Sequence, residues 1–175
     1  MGKHYSLPKT RWHALSLQAL PPQKFCQIVN QILNGELTVI ASRALHSGKR
    51  VLVTDDNGDH VDLIVESLET ELGVLVDVAR TPDDCLGKLQ TNIYDLLILD
   101  YRLPQHDGLW VIDQICRRGR RVPVLLVTSF YREPLLERIS REYAVEVMDK
   151  ERSFQQIADK AGRLLAATCA GPVTD

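Results

Sequence analysis

The chain has 175 residues, of which 45% are hydrophobic and 25% are charged, and its formal net charge is −2 at pH 7. This composition is typical of a globular domain, and the chain is long enough to bury a core without disulfides or structural metals. No apolar run approaches the roughly 20 residues that a membrane-spanning helix needs, and the N-terminus lacks the apolar region of a secretory signal.

Cysteine and histidine spacing argues against a redox or zinc site. The four cysteines form no Cys-x-x-Cys pair, and their positions are Cys26, Cys85, Cys116 and Cys169. The five histidines are scattered and none lies beside a cysteine, so we predict that they are surface or loop residues. Widely spaced cysteines of this kind favour a reducing, cytoplasmic location.

Charge is distributed unevenly and divides the chain into two parts. Residues 1–48 carry five cations and one anion, whereas residues 49–175 carry 16 cations and 22 anions. A loop signal, Ser47-Gly48, lies at the boundary. We therefore predict a basic N-terminal extension over residues 1–48, a domain over residues 49–167 and a short C-terminal tail over residues 168–175.

The basic extension is predicted to contain an amphipathic helix over about residues 22–34. Its apolar positions form one helical stripe, and they are Phe25, Ile28, Val29, Ile32 and Leu33. A second segment, Leu37 to Leu45, fits either a helix or a strand. Such a stripe needs a partner surface, and three remain open: the chain's own domain, a second copy in a homodimer, or another protein.

From residue 50 onward the sequence alternates strand and helix patterns. The predicted strands are apolar or β-branched runs, over residues 50–54, 74–79, 94–99, 122–127 and 144–148. The predicted helices have apolar residues at helical spacing, over residues 61–72, from 82, and over 108–118, 133–143 and 153–167. Gly73 is predicted to stop the first helix and Thr81 to cap the second. Five such units predict an α/β fold, a doubly wound five-stranded parallel sheet with helices on both faces.

Chemically useful side chains follow four of the five predicted strands. Asp55 and Asp56 follow the first strand, Asp100 the third, Thr128 the fourth and Lys150 the fifth. Because the carboxyl ends of parallel strands meet at one edge of the sheet, we expect these side chains to form a single site.

The charges and functional groups of the predicted site indicate what it could bind and which reaction it could support. Three neighbouring carboxylates repel one another unless a cation lies among them. Mg²⁺ prefers oxygen ligands, and Lys150 would add further positive charge. With the Thr128 hydroxyl, this set suits a site in which Asp100 is a nucleophile that accepts a phosphoryl group. The alternative is that the acids only cap helices or lie in solvated loops, which is common for one acid and rare for the ordered set.

These motifs make the sequence resemble the receiver domain of two-component response regulators over about residues 49–167. The matching segments are Val-Leu-Val-Thr-Asp55-Asp56, Leu-Ile-Leu-Asp100-Tyr-Arg-Leu-Pro104-Gln-His-Asp107-Gly108, Val-Thr128-Ser129 and Asp149-Lys150. The resemblance implies a flavodoxin-like fold of five βα units with strand order 2-1-3-4-5. It also implies a phosphoprotein that receives its phosphoryl group from a histidine kinase or a histidine phosphotransfer protein.

The resemblance further implies a role for each site residue. Asp100 would be the phosphoacceptor, Thr128 the switch hydroxyl and Lys150 the lysine that the family places after its fifth strand. The implied Mg²⁺ ligands are Asp55, Asp56, Asp100 and the backbone carbonyl of Arg102. Catalysis would be limited to self-catalysed phosphotransfer and dephosphorylation, so no other enzyme activity is expected.

Three positions depart from the family pattern. Val147 replaces the usual switch aromatic three residues before the lysine, and Glu151 replaces the usual proline after it. Tyr143 replaces a frequent glycine. The residues implied in phosphorylation are complete, so the departures bear on how the signal leaves the domain.

The leading function is therefore a phosphoacceptor module that signals through contacts with a downstream protein, alone or as the receiver of a hybrid histidine kinase. Two rivals remain: a receiver-shaped scaffold that works unphosphorylated, and an enzyme of the same fold such as a Mg²⁺-dependent phosphatase or a flavodoxin. The acidic loop Asp55–Asp59 would repel the phosphate of a flavin cofactor. Direct DNA binding is not expected, because the Arg117–Arg121 run fits a helix C-terminus and the loop after it.

Overall fold

The sheet in the computed structural model of the chain has five strands: β1 Arg50–Thr54, β2 Leu75–Ala79, β3 Leu96–Asp100, β4 Val124–Thr128 and β5 Glu146–Asp149. They are parallel and lie in the order β2-β1-β3-β4-β5, which confirms the predicted sheet and its strand order. The structure describes residues 36–129, 140–143, 145–150 and 153–167. The predicted helix at about 22–34, the tail at 168–175 and most of the predicted helix at 133–143 lie outside the described residues.

Helices flank the sheet on both faces. They are α1 Glu36–His46, α2 Gly58–Leu72, α3 Pro82–Thr91, α4 Gly108–Arg117 and α5 Phe154–Ala167. Residues 140–143 are also helical. The segment that fits either a helix or a strand by its sequence, Leu37 to Leu45, is helical. Among the described residues no helix is long and apolar enough to span a membrane.

Two predicted helix ends are confirmed. The Thr81 side chain accepts a hydrogen bond from the Asp84 amide at 3.2 Å and caps α3. Gly73 ends α2 in the left-handed conformation, with φ 65°, and its amide donates to the Glu69 carbonyl at 3.1 Å. Glycine suits this position because it has no Cβ to oppose a positive φ.

The start of α2 differs from the prediction. The Asn57 side chain accepts a hydrogen bond from the His60 amide at 3.2 Å, so the helix begins at Gly58 and not at Val61. Asparagine is a strong N-cap because its side-chain oxygen satisfies an amide that has no partner within the helix. The cap brings residues 58–60 into a first helical turn that lies directly after the acidic pair.

The last three strands begin two residues later, and end one residue later, than their apolar runs predict. In β4 the reason is Pro123, which has no N–H to donate and pairs only through its carbonyl, accepting from the Leu97 amide at 2.9 Å. As a result Asp100 and Thr128 are the final residues of β3 and β4, where the ladder of the sheet holds their backbones.

The core consists of two apolar layers, one on each face of the sheet. Because successive strand residues point to opposite faces, Val51 and Val53 enter one layer and Leu52 enters the other. α2 and α5 cover the first layer, and α3 and α4 cover the second. All residues of β3 and β4 are buried, which confirms that β3 is buried on both faces.

Gly108 lets α4 approach the end of β3 closely. A Cβ atom at this position would lie 2.7 Å from the backbone oxygen of Asp100. The Gly108 amide donates to the Tyr101 carbonyl at 2.8 Å, which closes the loop between β3 and α4. The glycine therefore fixes the backbone beside Asp100 without taking part in the chemistry.

His46 joins α1 to α5. Its Nε2 lies 3.0 Å from the Gly162 carbonyl oxygen and its Nδ1 lies 2.8 Å from the Ser42 carbonyl oxygen. The residue is 4% exposed. Residues 39–46 of α1 belong to the same compact unit as the sheet.

Replacing His46 with Ala is expected to lower the free energy of unfolding by about 2 kcal/mol, because it removes buried ring contacts and the bond to the Gly162 carbonyl. Urea unfolding followed by circular dichroism measures the change. Leu45→Ala is the matched control on the same helix, since Leu45 is 60% exposed and should cost less than about 0.5 kcal/mol. An equal loss of unfolding free energy in the two variants would show that His46 does not stabilise the packing of α1 on α5.

Candidate functional site

Four strand ends meet at one edge of the sheet and carry the predicted site residues. Asp55 follows β1 directly, and Asp100 is the last residue of β3. Thr128, the last residue of β4, lies beside Asp149 in the strand register. The next residue, Lys150, donates its amide to the Thr128 carbonyl at 3.0 Å. Because the strands are parallel, these residues lie at the same edge of the sheet.

An acidic cluster lies at this edge. One carboxylate oxygen from each of Asp55, Asp56 and Asp100 lies within 4.8 Å of the other two. Asp55 and Asp100 are only 2% and 6% exposed, whereas Asp56 is exposed. Two of the three negative charges are therefore held away from water, which is costly unless cations compensate them.

Lys150 supplies one such cation. Its Nζ donates to Asp55 Oδ2 at 2.8 Å and to Asp100 Oδ2 at 2.7 Å. Burial by itself would lower the pKa of Lys150, but the hydrogen bonds to the two carboxylates raise that pKa above its ordinary value. The ammonium group is therefore charged at neutral pH and bridges the two buried acids.

Asp55 is held by three hydrogen-bond donors. The Asn57 amide donates to Oδ1 at 3.0 Å, and His60 Nδ1 and Lys150 Nζ approach Oδ2 at 2.6 Å and 2.8 Å. Burial raises the pKa of Asp55, but the hydrogen bonds from His60, Lys150 and Asn57 outweigh burial and keep the pKa below its ordinary value. Asp55 is therefore ionised at neutral pH and fixed in one orientation.

Asp100 has a different environment. Its Oδ1 accepts from the Arg102 amide at 3.3 Å, and its Oδ2 accepts from Lys150. Burial raises the pKa of Asp100 and the Asp55 charge adds to the effect, while the bonds from Lys150 and Arg102 offset them only in part. Without a metal ion, the ionised form of Asp100 is therefore less stabilised than that of Asp55.

Two histidines are not the surface or loop residues that their scattered positions predict. His46 is 4% exposed and the His60 side chain is 12% exposed. The His60 ring lies between Asp55 and Phe154, with the two ring centroids 5.4 Å apart. The missed signal is the Asn57 cap, because a helix that begins directly after Asn57 turns His60 back toward Asp55.

The acidic cluster has the donor set of a Mg²⁺ site. Mg²⁺ binds carboxylate and carbonyl oxygens and keeps several of its waters. Two buried carboxylates share the charge of one Lys150 ammonium, and the exposed Asp56 opens the cluster to solvent. The residues at this edge therefore fit a hard divalent cation.

Thr128 and Arg102 lie next to the acidic cluster. Thr128 is buried, with 1% exposed, and Arg102 contacts Asp100 through its amide. The switch role of the Thr128 hydroxyl and the ligand role of the Arg102 carbonyl stay predictions.

Two of the departures from the family pattern lie against the apolar layer under α3 and α4. Val147 and Tyr143 are both half-buried and pack against that layer. Val147 pairs with Leu126 in the strand register, so an aliphatic side chain fills the place of the usual aromatic ring. Glu151 lies outside the described residues.

Arginines near the end of α4 make contacts within the chain. Arg117, in the last turn of α4, pairs with Asp113 at 2.7 Å. Arg120 Nη2 donates to the Gln90 carbonyl at 2.9 Å. These contacts agree with a helix C-terminus and its loop, as the sequence predicts for this run.

Comparison with known proteins agrees with this geometry. The family model of the response regulator receiver domain matches residues 51–161, a range that contains the acidic cluster and Lys150. The chain belongs to this family. It is therefore a receiver domain of the kind found in two-component systems, and the resemblance seen in its motifs is confirmed.

Relatives of this receiver domain include transcriptional regulators. The transcriptional regulatory protein DltR of Streptococcus agalactiae is 34% identical over 80 residues, which are 46% of this chain and 35% of DltR. The alkaline phosphatase synthesis transcriptional regulatory protein PhoP of Bacillus subtilis is 35% identical over 81 residues, which are 46% of this chain and 33% of PhoP. The match thus spans about a third of the length of these relatives.

Solved structures share the fold. The response regulator TrrA of Thermotoga maritima, in complex with Mg²⁺ and BeF, is 32% identical with a TM-score of 0.58, covering 66% of this chain and 98% of TrrA. The receiver domain of the Francisella response regulator 1452 is 21% identical with a TM-score of 0.64, covering 69% of this chain and 99% of that domain. The second likeness shows the fold alone.

Proposed function

We propose that this receiver domain accepts a phosphoryl group on Asp100 from a histidine kinase or a histidine phosphotransfer protein. The observation that carries the proposal is the Lys150 ammonium, which bridges Asp55 and Asp100 next to the exposed Asp56. A phosphoacceptor needs a carboxylate nucleophile with positive charge beside it, and this cluster offers both.

In the proposed transfer, the side chains of the site act one after another. An Asp100 carboxylate oxygen attacks the phosphorus, so an O–P bond forms while the bond from phosphorus to the donor's histidine nitrogen breaks. The Lys150 ammonium neutralises charge on the transferred group, and the Thr128 hydroxyl donates to one of its oxygens afterwards. When bound by Asp55, Asp56, Asp100 and the Arg102 carbonyl, Mg²⁺ supplies further neutralisation of the phosphoryl oxygens.

The signal would leave the domain through protein contacts in the cytoplasm. The proposed partners are the phosphoryl donor and a downstream protein, with residues 1–48 as an extension that packs on the domain or on a second copy. A scaffold that works unphosphorylated is the second candidate, because Val147 lacks the ring of the family's switch aromatic. The complete cluster around Lys150 favours the phosphoacceptor.

Incubation with acetyl phosphate and Mg²⁺ is expected to add one phosphoryl group per chain. Removing Mg²⁺ with EDTA should slow the labelling at least about tenfold, because the clustered carboxylates then lack their counter-ion and repel the phosphoryl donor. Intact-protein mass spectrometry measures both rates, and excess Mg²⁺ added after EDTA is the control. A chain that gains no phosphoryl group under either condition would favour the scaffold.

A further inference from the structure

We propose that His60 is a positioning residue that holds Asp55 in place for a divalent cation. The inference rests on the proposed function and adds a residue that none of the family motifs in this sequence contains. His60 would order the Asp55 carboxylate before the cation binds.

The contact between His60 and Asp55 fixes the direction of the hydrogen bond. Nδ1 of His60 lies 2.6 Å from Asp55 Oδ2. An ionised carboxylate can only accept a hydrogen bond, so Nδ1 carries the proton and donates. Asn57 donates to the other carboxylate oxygen, and Lys150 shares Oδ2 with His60. His60 thus supplies a second side-chain donor to Asp55 Oδ2, beside Lys150, and the Asn57 amide holds the other oxygen.

Asp55 is the hydrogen-bond partner of the His60 ring among the described residues. The ring packs against Phe154 in the first turn of α5 and is 12% exposed. Its Nε2 is buried and has no hydrogen-bond partner among the described residues. A buried polar atom without a partner is unfavourable, and an apolar residue would fill the same space without that cost. The bond to Asp55 is the interaction that offsets it.

A hydrogen bond that orients a metal-binding carboxylate raises the affinity of the site for the metal. Residues that orient a metal-binding carboxylate contribute about 10–100-fold to metal affinity, because the ligand does not have to be ordered when the ion binds. The hydrogen bond also restricts rotation of the Asp55 carboxylate about its side-chain bonds. Loss of His60 should therefore weaken Mg²⁺ binding even where the fold is unchanged.

Calorimetric titration of Mg²⁺ into the full chain tests the inference. His60→Leu keeps an apolar side chain against Phe154 but has no donor, and should bind Mg²⁺ about tenfold more weakly than the wild type. His60→Asn places an amide N–H close to the position of Nδ1 and should recover most of that affinity. Melting temperatures in EDTA show whether each variant is folded.

The outcomes separate the inference from the proposed function. Equal Mg²⁺ affinity in the wild type and His60→Leu overturns the inference alone, and so does a weakened His60→Leu that His60→Asn fails to rescue. A wild-type chain that binds no Mg²⁺ overturns both. Nitrogen-15 spectra of the wild-type ring provide a measurement that needs no variant: a proton on Nδ1 supports the inference, and a neutral ring protonated on Nε2 contradicts it.

Discussion

Asp100→Asn is expected to abolish phosphoryl labelling by acetyl phosphate and Mg²⁺. The amide lacks the anionic oxygen that attacks phosphorus, while its shape and its bond to Lys150 can be kept. Intact-protein mass spectrometry measures the labelling. The matched control is Asp83→Asn, which removes an exposed acid in the first turn of α3 and should label like the wild type. Full labelling of the Asp100 variant would place the phosphoryl group elsewhere.

The same substitution should also change the pH dependence of stability. Burial raises the pKa of Asp100, so the folded chain holds a proton there more readily than the unfolded chain does. The contribution of Asp100 to stability therefore falls as pH rises from its unfolded pKa to its folded pKa. In EDTA, Asp100→Asn should be at least as stable as the wild type above this window, and the difference should shrink below it. A variant that is less stable at neutral pH would contradict this sign.

Lys150→Met should cause the largest loss of stability of any single change at the site. Methionine keeps a similar length but removes the ammonium, which leaves Asp55 and Asp100 buried without the charge that bridges them. Breaking a buried ion pair costs about 3–5 kcal/mol. Urea unfolding in EDTA measures the loss, and added Mg²⁺ should restore part of it by binding the folded chain. Phosphoryl labelling should fall at least about a hundredfold, as it does when a group that stabilises developing charge is removed.

Lys160→Met is the control for the loss of a lysine. Lys160 pairs with Glu146 at 2.9 Å, but the two side chains are 34% and 49% exposed. Exposed pairs contribute about 0–1 kcal/mol, since water already stabilises both charges. If the two lysine variants lost the same stability, Lys150 would not be the compensating charge of the acidic cluster.

The edge of the sheet that carries the site could be predicted because several patterns in the sequence agree there. β3 and β4 are continuous apolar runs that each end in a polar residue with a chemical function, Asp100 or Thr128. Parallel topology then leaves one edge at which these residues can lie. The exact strand limits could not be predicted, because they depend on which amides find partners, as Pro123 shows.

The surroundings of His46 and His60 could not be predicted from local patterns. His46 contacts the Gly162 carbonyl, although the two residues are 116 positions apart in the sequence. No periodic pattern in the sequence predicts a contact between residues so far apart. His60 contacts Asp55 only because Asn57 starts α2 at Gly58. A shift of the helix start to Val61, as the apolar spacing indicates, would turn the ring away from the acid.

The most direct test of phosphoryl transfer to this domain is to locate the phosphoryl group. The wild-type chain is labelled with acetyl phosphate and Mg²⁺, the acyl phosphate is reduced with borohydride, and the resulting homoserine is located by peptide sequencing in the mass spectrometer. Transfer to the last residue of β3 predicts homoserine at Asp100 and at no other position. Homoserine at Asp55 or Asp56, or at no aspartate of the chain, would contradict it.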